Sequence, residues 1–137
     1  MAGKLSHIAV VVRDPDVAAR QFEALLGARV VEREFLPETM TDVVVIVVGG
    51  VHIELLSSRQ PDSKVGKILR EKGAGIHHLS FEVDGIEKRL SELQERGVRL
   101  LDEKPRTGVH GRKIVFVHPD ETSGVLIEMV DEDTDLK

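Results

Sequence analysis

The sequence predicts an α+β fold: two tandem βαβββ modules joined in a shared, curved mixed sheet with an open trough. Three observations carry this. The chain repeats itself, His7-Ile8-Ala9-Val10-Val11-Val12-Arg13-Asp14 resembling His78-Leu79-Ser80-Phe81-Glu82-Val83-Asp84, and Ile53-Glu54-Leu55-Leu56 resembling Ile127-Glu128-Met129-Val130. The offsets between matched positions are 71 for the histidines, 70 for Gly27 and Gly97, and 74 for the glutamates, constant to within short loop changes. Each half also carries one helical pattern among several strand-like apolar runs. A half of this kind buries one sheet face poorly, so the two are expected to pair around a concave surface where a ligand would sit. The modules span about 5–57 and about 76–131, with a linking helix over about 62–72, all within one domain of 137 residues.

The elements follow from local signals. Asp14-Pro15 starts a helix, because Asp accepts from a free first-turn N–H and Pro at the first helical position loses no hydrogen bond. Val17, Ala18, Phe22, Leu25 and Leu26 make its apolar face, and Gly27 stops it. A strand signal follows at 28–31, then a continuous apolar run from Val43 to Val48, a Gly49-Gly50 turn, and a strand from Val51 to Leu56. Val65, Ile68 and Leu69 repeat at helical spacing in the linker, which Gly73 ends. In the second half Asp84 stands three residues before Glu87, in capping-box spacing. Ile86, Leu90 and Leu93 form the apolar face before Gly97, and a strand signal follows at 98–101.

Composition excludes several function classes. Hydrophobic residues make up 41% and charged residues 31%, as in an ordinary globular protein. There is no cysteine, hence no disulfide, no thiolate metal site and no thiol nucleophile. No apolar run is long enough to span a membrane, and Met1 to Lys4 lead directly into a strand signal, so a cytoplasmic location is expected. A net charge of −5 and only four aromatic residues argue against nucleic acid. The charge is uneven: residues 59–72 sum to +3 and residues 104–113 to +4, leaving −12 elsewhere. Such basic segments suit either solvated connectors or local contact with a small polyanion.

The repeat places His7 beside His78 in role and Glu54 beside Glu128, on the first and last strands of each module. Strand side chains alternate between faces, so all four can be aimed into the trough. Two imidazoles and two carboxylates suit Mn²⁺, Co²⁺, Ni²⁺, Zn²⁺ or Fe²⁺, and octahedral coordination leaves two positions for water or a chelating substrate. His77 and His78 are adjacent and only one can face the trough; the alignment of Leu79 with Ile8 selects His78. His52, two residues before Glu54, shares its face, whereas His110 and His118 read as loop residues.

With these residues in place, the chain resembles the vicinal oxygen chelate superfamily and, within it, the methylmalonyl-CoA epimerases. The resemblance is carried by residues 73–84, from Gly73 through His77-His78-Leu79 to Asp84, by residues 97–105, and above all by Gly108-Val109-His110-Gly111-Arg112-Lys113-Ile114-Val115-Phe116-Val117-His118-Pro119 running on through Gly124 to Glu128. It covers nearly all of residues 5–131; over 28–50 it is only a pattern of apolar strands. It implies one divalent ion (Co²⁺, Mn²⁺, Ni²⁺ or Zn²⁺) on His7, Glu54, His78 and Glu128, chelated by a substrate's thioester and carboxylate oxygens. The expected substrate is an acyl-CoA, with Arg112, Lys113, Ser123 and Gly124 as binding candidates, and relatives commonly pair as homodimers.

The implied reaction removes the proton alpha to the thioester and returns one to the opposite face, so two proton-transfer groups are needed. Glu128 and Glu54 are the natural pair. Relatives have been thought to use a glutamate on the strand corresponding to Val43–Val48, which is entirely apolar here. That departure leaves Glu54, Asp42 and His52 in competition for the first base. Two rivals share the scaffold: a glyoxalase-I-type isomerase of a glutathione hemithioacetal, and a non-catalytic small-molecule-binding protein.

Overall fold

The computed structural model describes residues 3–132, which divide into two compact units: residues 7–77, and residues 3–6 with 78–132. The βαβββ plan is present in both. No helix among the described residues is long and apolar enough to cross a membrane.

The first unit contains the greater part of β1 (Lys4–Val11), then α1 (Pro15–Leu26), β2 (Arg29–Leu36), β3 (Thr41–Val48), β4 (Val51–Ser57) and α2 (Lys64–Glu71). Its strands lie in the order β2-β3-β4-β1, with β1 parallel to β4 and the other pairs antiparallel. The start of α1 is as predicted: the Asp14 carboxylate accepts from Asp16 N–H at 3.0 Å and Val17 N–H at 3.2 Å, with Pro15 at the first helical position. Gly27, at φ 69°, closes the helix. Ala18 and Ala19 pack with Val44, Ile46 and Leu55, flanked by Val10, Val12 and Ile53. Small residues on the helix allow close approach, and this layer decides which strand residues turn the other way.

Register follows from the β3–β4 turn. Gly49 and Gly50 sit at φ 53° and 84°, the pair of positive values a two-residue hairpin needs. Val45 is thereby set opposite Glu54, and β1 adds Ala9 on the far side of Glu54. A slip of one residue would turn Glu54 into the layer beneath α1. The linking helix is shorter than expected, beginning only after Ser63, whose hydroxyl accepts from Gly66 N–H at 3.0 Å. Gly66 faces the backbone of Gln60 and Pro61 so closely that any Cβ would overlap the Gln60 carbonyl.

The second unit contains most of β5 (Gly75–Val83), then α3 (Ile86–Glu95), β6 (Arg106–Thr107), β7 (Lys113–Val117) and β8 (Ile127–Asp131). The order is β5-β8-β7-β6, with β5 parallel to β8 and the rest antiparallel. Ile86 and Leu90 of α3 pack with Val83, Val115, Val117 and Met129.

Two local expectations are corrected here. Asp84 does not cap α3: Gly85 intervenes at φ 56°, the Ile86 N–H is taken instead by the Asp131 carboxylate at 3.1 Å, and Glu87 pairs with Lys113. The strand predicted at 98–101 shrinks to a single bridge, Leu100 to Val117. The next ladder donor, Phe116 N–H, is captured by the Asp102 side chain at 2.8 Å, and Pro105 has no N–H to extend the pairing.

The Gly66 contact makes a direct prediction. Gly66→Ala lowers stability by about 1–3 kcal/mol, the usual cost of forcing atoms into a packed contact. Urea unfolding measures it; an unchanged midpoint would contradict the packing described.

Candidate functional site

Each unit buries one imidazole beside one carboxylate on adjacent parallel strands. In the first, His7 on β1 and Glu54 on β4 are 7% and 6% exposed, with Nδ1 and Oε2 3.3 Å apart. Both lie on the sheet face turned away from α1, since Val10, Val12, Ile53 and Leu55 occupy the helix side. In the second, His78 on β5 and Glu128 on β8 are 6% and 5% exposed, with Nε2 and Oε2 3.6 Å apart. The Ser80 hydroxyl donates to the other Glu128 oxygen, Oε1, at 2.7 Å. Phe116, cross-strand from Glu128, meets the His78 ring edge-to-face at 5.0 Å. The Arg106 guanidinium lies 5.3 Å from the Phe116 ring centre and pairs with Asp102 at 3.2 Å.

Electrostatics separate Glu128 from an ordinary carboxylate. Burial pushes its carboxyl up to about 7. The Ser80 hydrogen bond and the charges of Arg106 and Arg112 pull the other way, while Asp102 adds to the rise. Burial also pushes the His77 imidazole down, helped by Lys64 and Lys72. His77 thus lies within reach of the charges at both ends of the linking helix.

The donor set fits a divalent cation. Two ligand atoms each about 2.1 Å from one ion, at angles of about 90–110°, are roughly 3.0–3.4 Å apart. The His7–Glu54 separation of 3.3 Å falls in that range and the His78–Glu128 separation of 3.6 Å just beyond it, both longer than a good N–H···O bond. Imidazole and carboxylate donors without thiolate match the borderline metals named from the sequence.

The competitors for the first base separate by sheet face. Asp42 alternates with Val43, sits on the α1 side with Val44 and Ile46, and pairs with Arg59 at 3.5 Å. It cannot reach the face that carries Glu54. His52 is on that face by its register with Val47, and is exposed. Of the substrate-binding candidates, Arg112 is half-buried and donates to the Asp131 carbonyl through Nε at 3.1 Å, with Glu82 at 3.4 Å from Nη2. Lys113 pairs with Glu87 on α3, and Ser123 and Gly124 form the exposed turn before β8. His118 caps its own turn by accepting Asp120 N–H at 3.1 Å, and His110 lies exposed in a turn at φ 64°. The first unit also has a concavity of about 570 Å³ lined by Arg13, Arg33 and Arg59 among others, but Arg33 and Arg59 are engaged by Asp16 and Asp42, and neither His7 nor Glu54 lines it.

Sequence reasoning missed four neighbours of these pairs. Ser80 was accessible, standing two residues after His78 and so on its face. Phe116 needed the β7–β8 register, which no local signal supplies. Glu32 and Glu34 face the same side as Glu54, opposite Val45 and Val43, with carboxylate oxygens within 4.8 Å of each other. A bulge between Val30 and Glu32 sets that phase and is not readable from alternation.

Residues 6–116 match the sequence profile of the Glyoxalase/Bleomycin resistance protein/Dioxygenase superfamily. The mitochondrial methylmalonyl-CoA epimerase of Bos taurus is 38% identical over 93% of this chain and 73% of its own length. An ethylmalonyl-CoA/methylmalonyl-CoA epimerase of Cereibacter sphaeroides is 35% identical over 94% of this chain and 98% of its own. Among solved structures, a methylmalonyl-CoA epimerase in complex with methylmalonyl-CoA and NH4+ superposes with a TM-score of 0.88 at 28% identity, over 98% of this chain and 97% of that one.

The burial of Glu128 predicts a pH dependence for the metal-free chain. Its folded carboxyl sits near 7 against 4.5 when exposed, so between those values the folded chain holds a proton that the unfolded chain has released. Stability therefore falls as pH rises across that window, by roughly 3 kcal/mol at about 1.4 kcal/mol per pH unit. Urea unfolding in chelator at pH 5 and pH 8 measures this; Glu128→Gln flattens the slope, and an equal slope in that variant would contradict the assignment.

Proposed function

The chain belongs to the glyoxalase/bleomycin resistance/dioxygenase superfamily, and from that premise we propose that it is a methylmalonyl-CoA epimerase using one divalent ion held by His7, Glu54, His78 and Glu128. The observation that carries the reading is the buried His–Glu pair at matching positions of both modules, one of its carboxylates raised to about 7. Its relatives of known name, alike over nearly their full length in the bacterial case, support the substrate. A bound Co²⁺, Mn²⁺, Ni²⁺ or Zn²⁺ supplies Lewis-acid stabilisation of the negative charge developing on the thioester oxygen, worth several kcal/mol.

The chain's own groups then move the proton. Glu128 takes the alpha proton from one face of the substrate carbon, and the C–H electron pair passes toward the thioester oxygen. Glu54, its counterpart in the repeat, starts the turnover protonated and gives that proton to the opposite face as the pair returns to carbon; solvent then removes the proton from Glu128 and restores the one on Glu54. The roles exchange in the reverse direction. Glu54 is preferred to Asp42, which faces the other side of the sheet, and to His52, which is exposed. Arg112, Lys113, Ser123 and Gly124 are assigned to the acyl-CoA. Lys113 and the 123–124 turn offer the exposed contacts, and Arg112 holds the β7 entry through Asp131 and Glu82. The same reading carries a homodimer and a cytoplasmic location.

Solvent deuterium entering the alpha carbon of methylmalonyl-CoA tests the reaction. Exchange is expected with metal and is lost in chelator; no metal-dependent exchange with either epimer would sink the proposal. Glu128→Ala is expected to reduce turnover by at least about 10²-fold, in line with loss of a proton-transfer group, and near-normal turnover would refute its role.

A further inference from the structure

We propose that Ser80 is a positioning residue that makes Glu128 act through one oxygen, Oε2, and thereby sets the two repeated glutamates to different tasks. This rests on the metal-dependent reading above.

Ser80 is 0% exposed and is the polar member of the group of largest fully buried side chains among the described residues. A buried hydroxyl is costly unless bonded. Here it is bonded to a single named atom, Glu128 Oε1, at 2.7 Å. The parallel β5–β8 register sets Ser80 directly beside Glu128, so both backbone positions are fixed by the ladder and the hydroxyl fixes the carboxylate plane. Oε2 is then the oxygen turned to the His78 imidazole, 3.6 Å away. Phe116 packs edge-on against that imidazole, so both members of the pair are oriented by a neighbour.

The repeat supplies its own comparison. Ala9 stands two residues after His7, as Ser80 stands two after His78, and the parallel β1–β4 register sets Ala9 beside Glu54 as Ser80 is set beside Glu128. Ala9 is also 0% exposed, so the two positions match in burial and differ by one hydroxyl; on the other side Val45 stands opposite Glu54 where Phe116 stands opposite Glu128. Duplication alone would make the two carboxylates equivalent. Ser80 breaks the equivalence on the Glu128 side, where a proton-transfer group needs one defined oxygen and one defined direction.

The test uses the full chain, Ser80→Ala and Ser80→Cys, with Co²⁺ added to the metal-free protein. Alanine removes the hydrogen bond and cysteine replaces it with a weak, longer donor. Both variants are expected to bind Co²⁺ about 10–100-fold more weakly, as loss of a ligand's supporting hydrogen bond does, and to alter the Co²⁺ absorption spectrum as the carboxylate turns. At saturating metal, deuterium entry is expected to slow at least about 10-fold with either epimer, because the equilibrium between the epimers ties the two directions together. Should Ser80→Ala fail to fold, Ser80→Cys gives the same readings. Parent-like affinity, spectrum and exchange in a folded variant would overturn the role of Ser80, as would slowed exchange with an unchanged Co²⁺ affinity and spectrum. A parent chain that neither binds Co²⁺ nor exchanges would instead overturn the metal-dependent reading itself.

Discussion

A carboxylate buried to 5% exposure governs much of this structure. Taking Glu128 out of water costs several kcal/mol if it stays charged, and the chain offsets that cost only in part, through one hydroxyl and two arginines at longer range. The remainder shows as a carboxyl that holds its proton up to about 7. No apolar packing requirement explains a glutamate there, since leucine or methionine would occupy the position without burying a carboxylate. A second buried glutamate at the matching position of the first unit makes the same demand again. Such residues persist where a cation or a proton transfer uses them.

The rest of the fold serves to hold these groups at one register. The Gly49-Gly50 turn sets β3 against β4, and the Ala18–Ala19 face of α1 claims the even-numbered residues of β3. Glu54 is left on the opposite face as a consequence. In the second unit α3 does the same through Ile86 and Leu90, and Asp131 ties the start of α3 to the end of β8, three residues beyond Glu128. Asp102 replaces a strand ladder with a side-chain bond at Phe116, the residue that orients His78. Stability and site geometry therefore draw on the same short list of contacts.

Much of this was legible in the sequence because the repeat doubles every signal. His7, Glu54, His78 and Glu128 each gain meaning from a partner about 70 residues away, which no isolated strand residue would carry. The caps at Asp14 and Gly27 were equally plain, since both act within a few residues. What failed was non-local. Asp84 has the right spacing to Glu87, yet Asp131 from β8 takes the N–H, a contact across 45 positions. Asp42 reads as a strand-edge base until the register turns it toward α1. Glu32 and Glu34 were hidden by a bulge, and the Asp131 carbonyl and Glu82 carboxylate that engage Arg112, a substrate-binding candidate, lie on other strands where no local signal points to them.

The proposed function requires that the two His–Glu pairs serve one ion jointly rather than one ion each. Calorimetric titration of Mn²⁺ into the metal-free chain decides between these stoichiometries. One ion per chain is expected, with binding lost both in His7→Ala and in Glu128→Ala, although these residues belong to different halves of the repeat. Two ions per chain, or a variant of one half that leaves binding by the other intact, would contradict it.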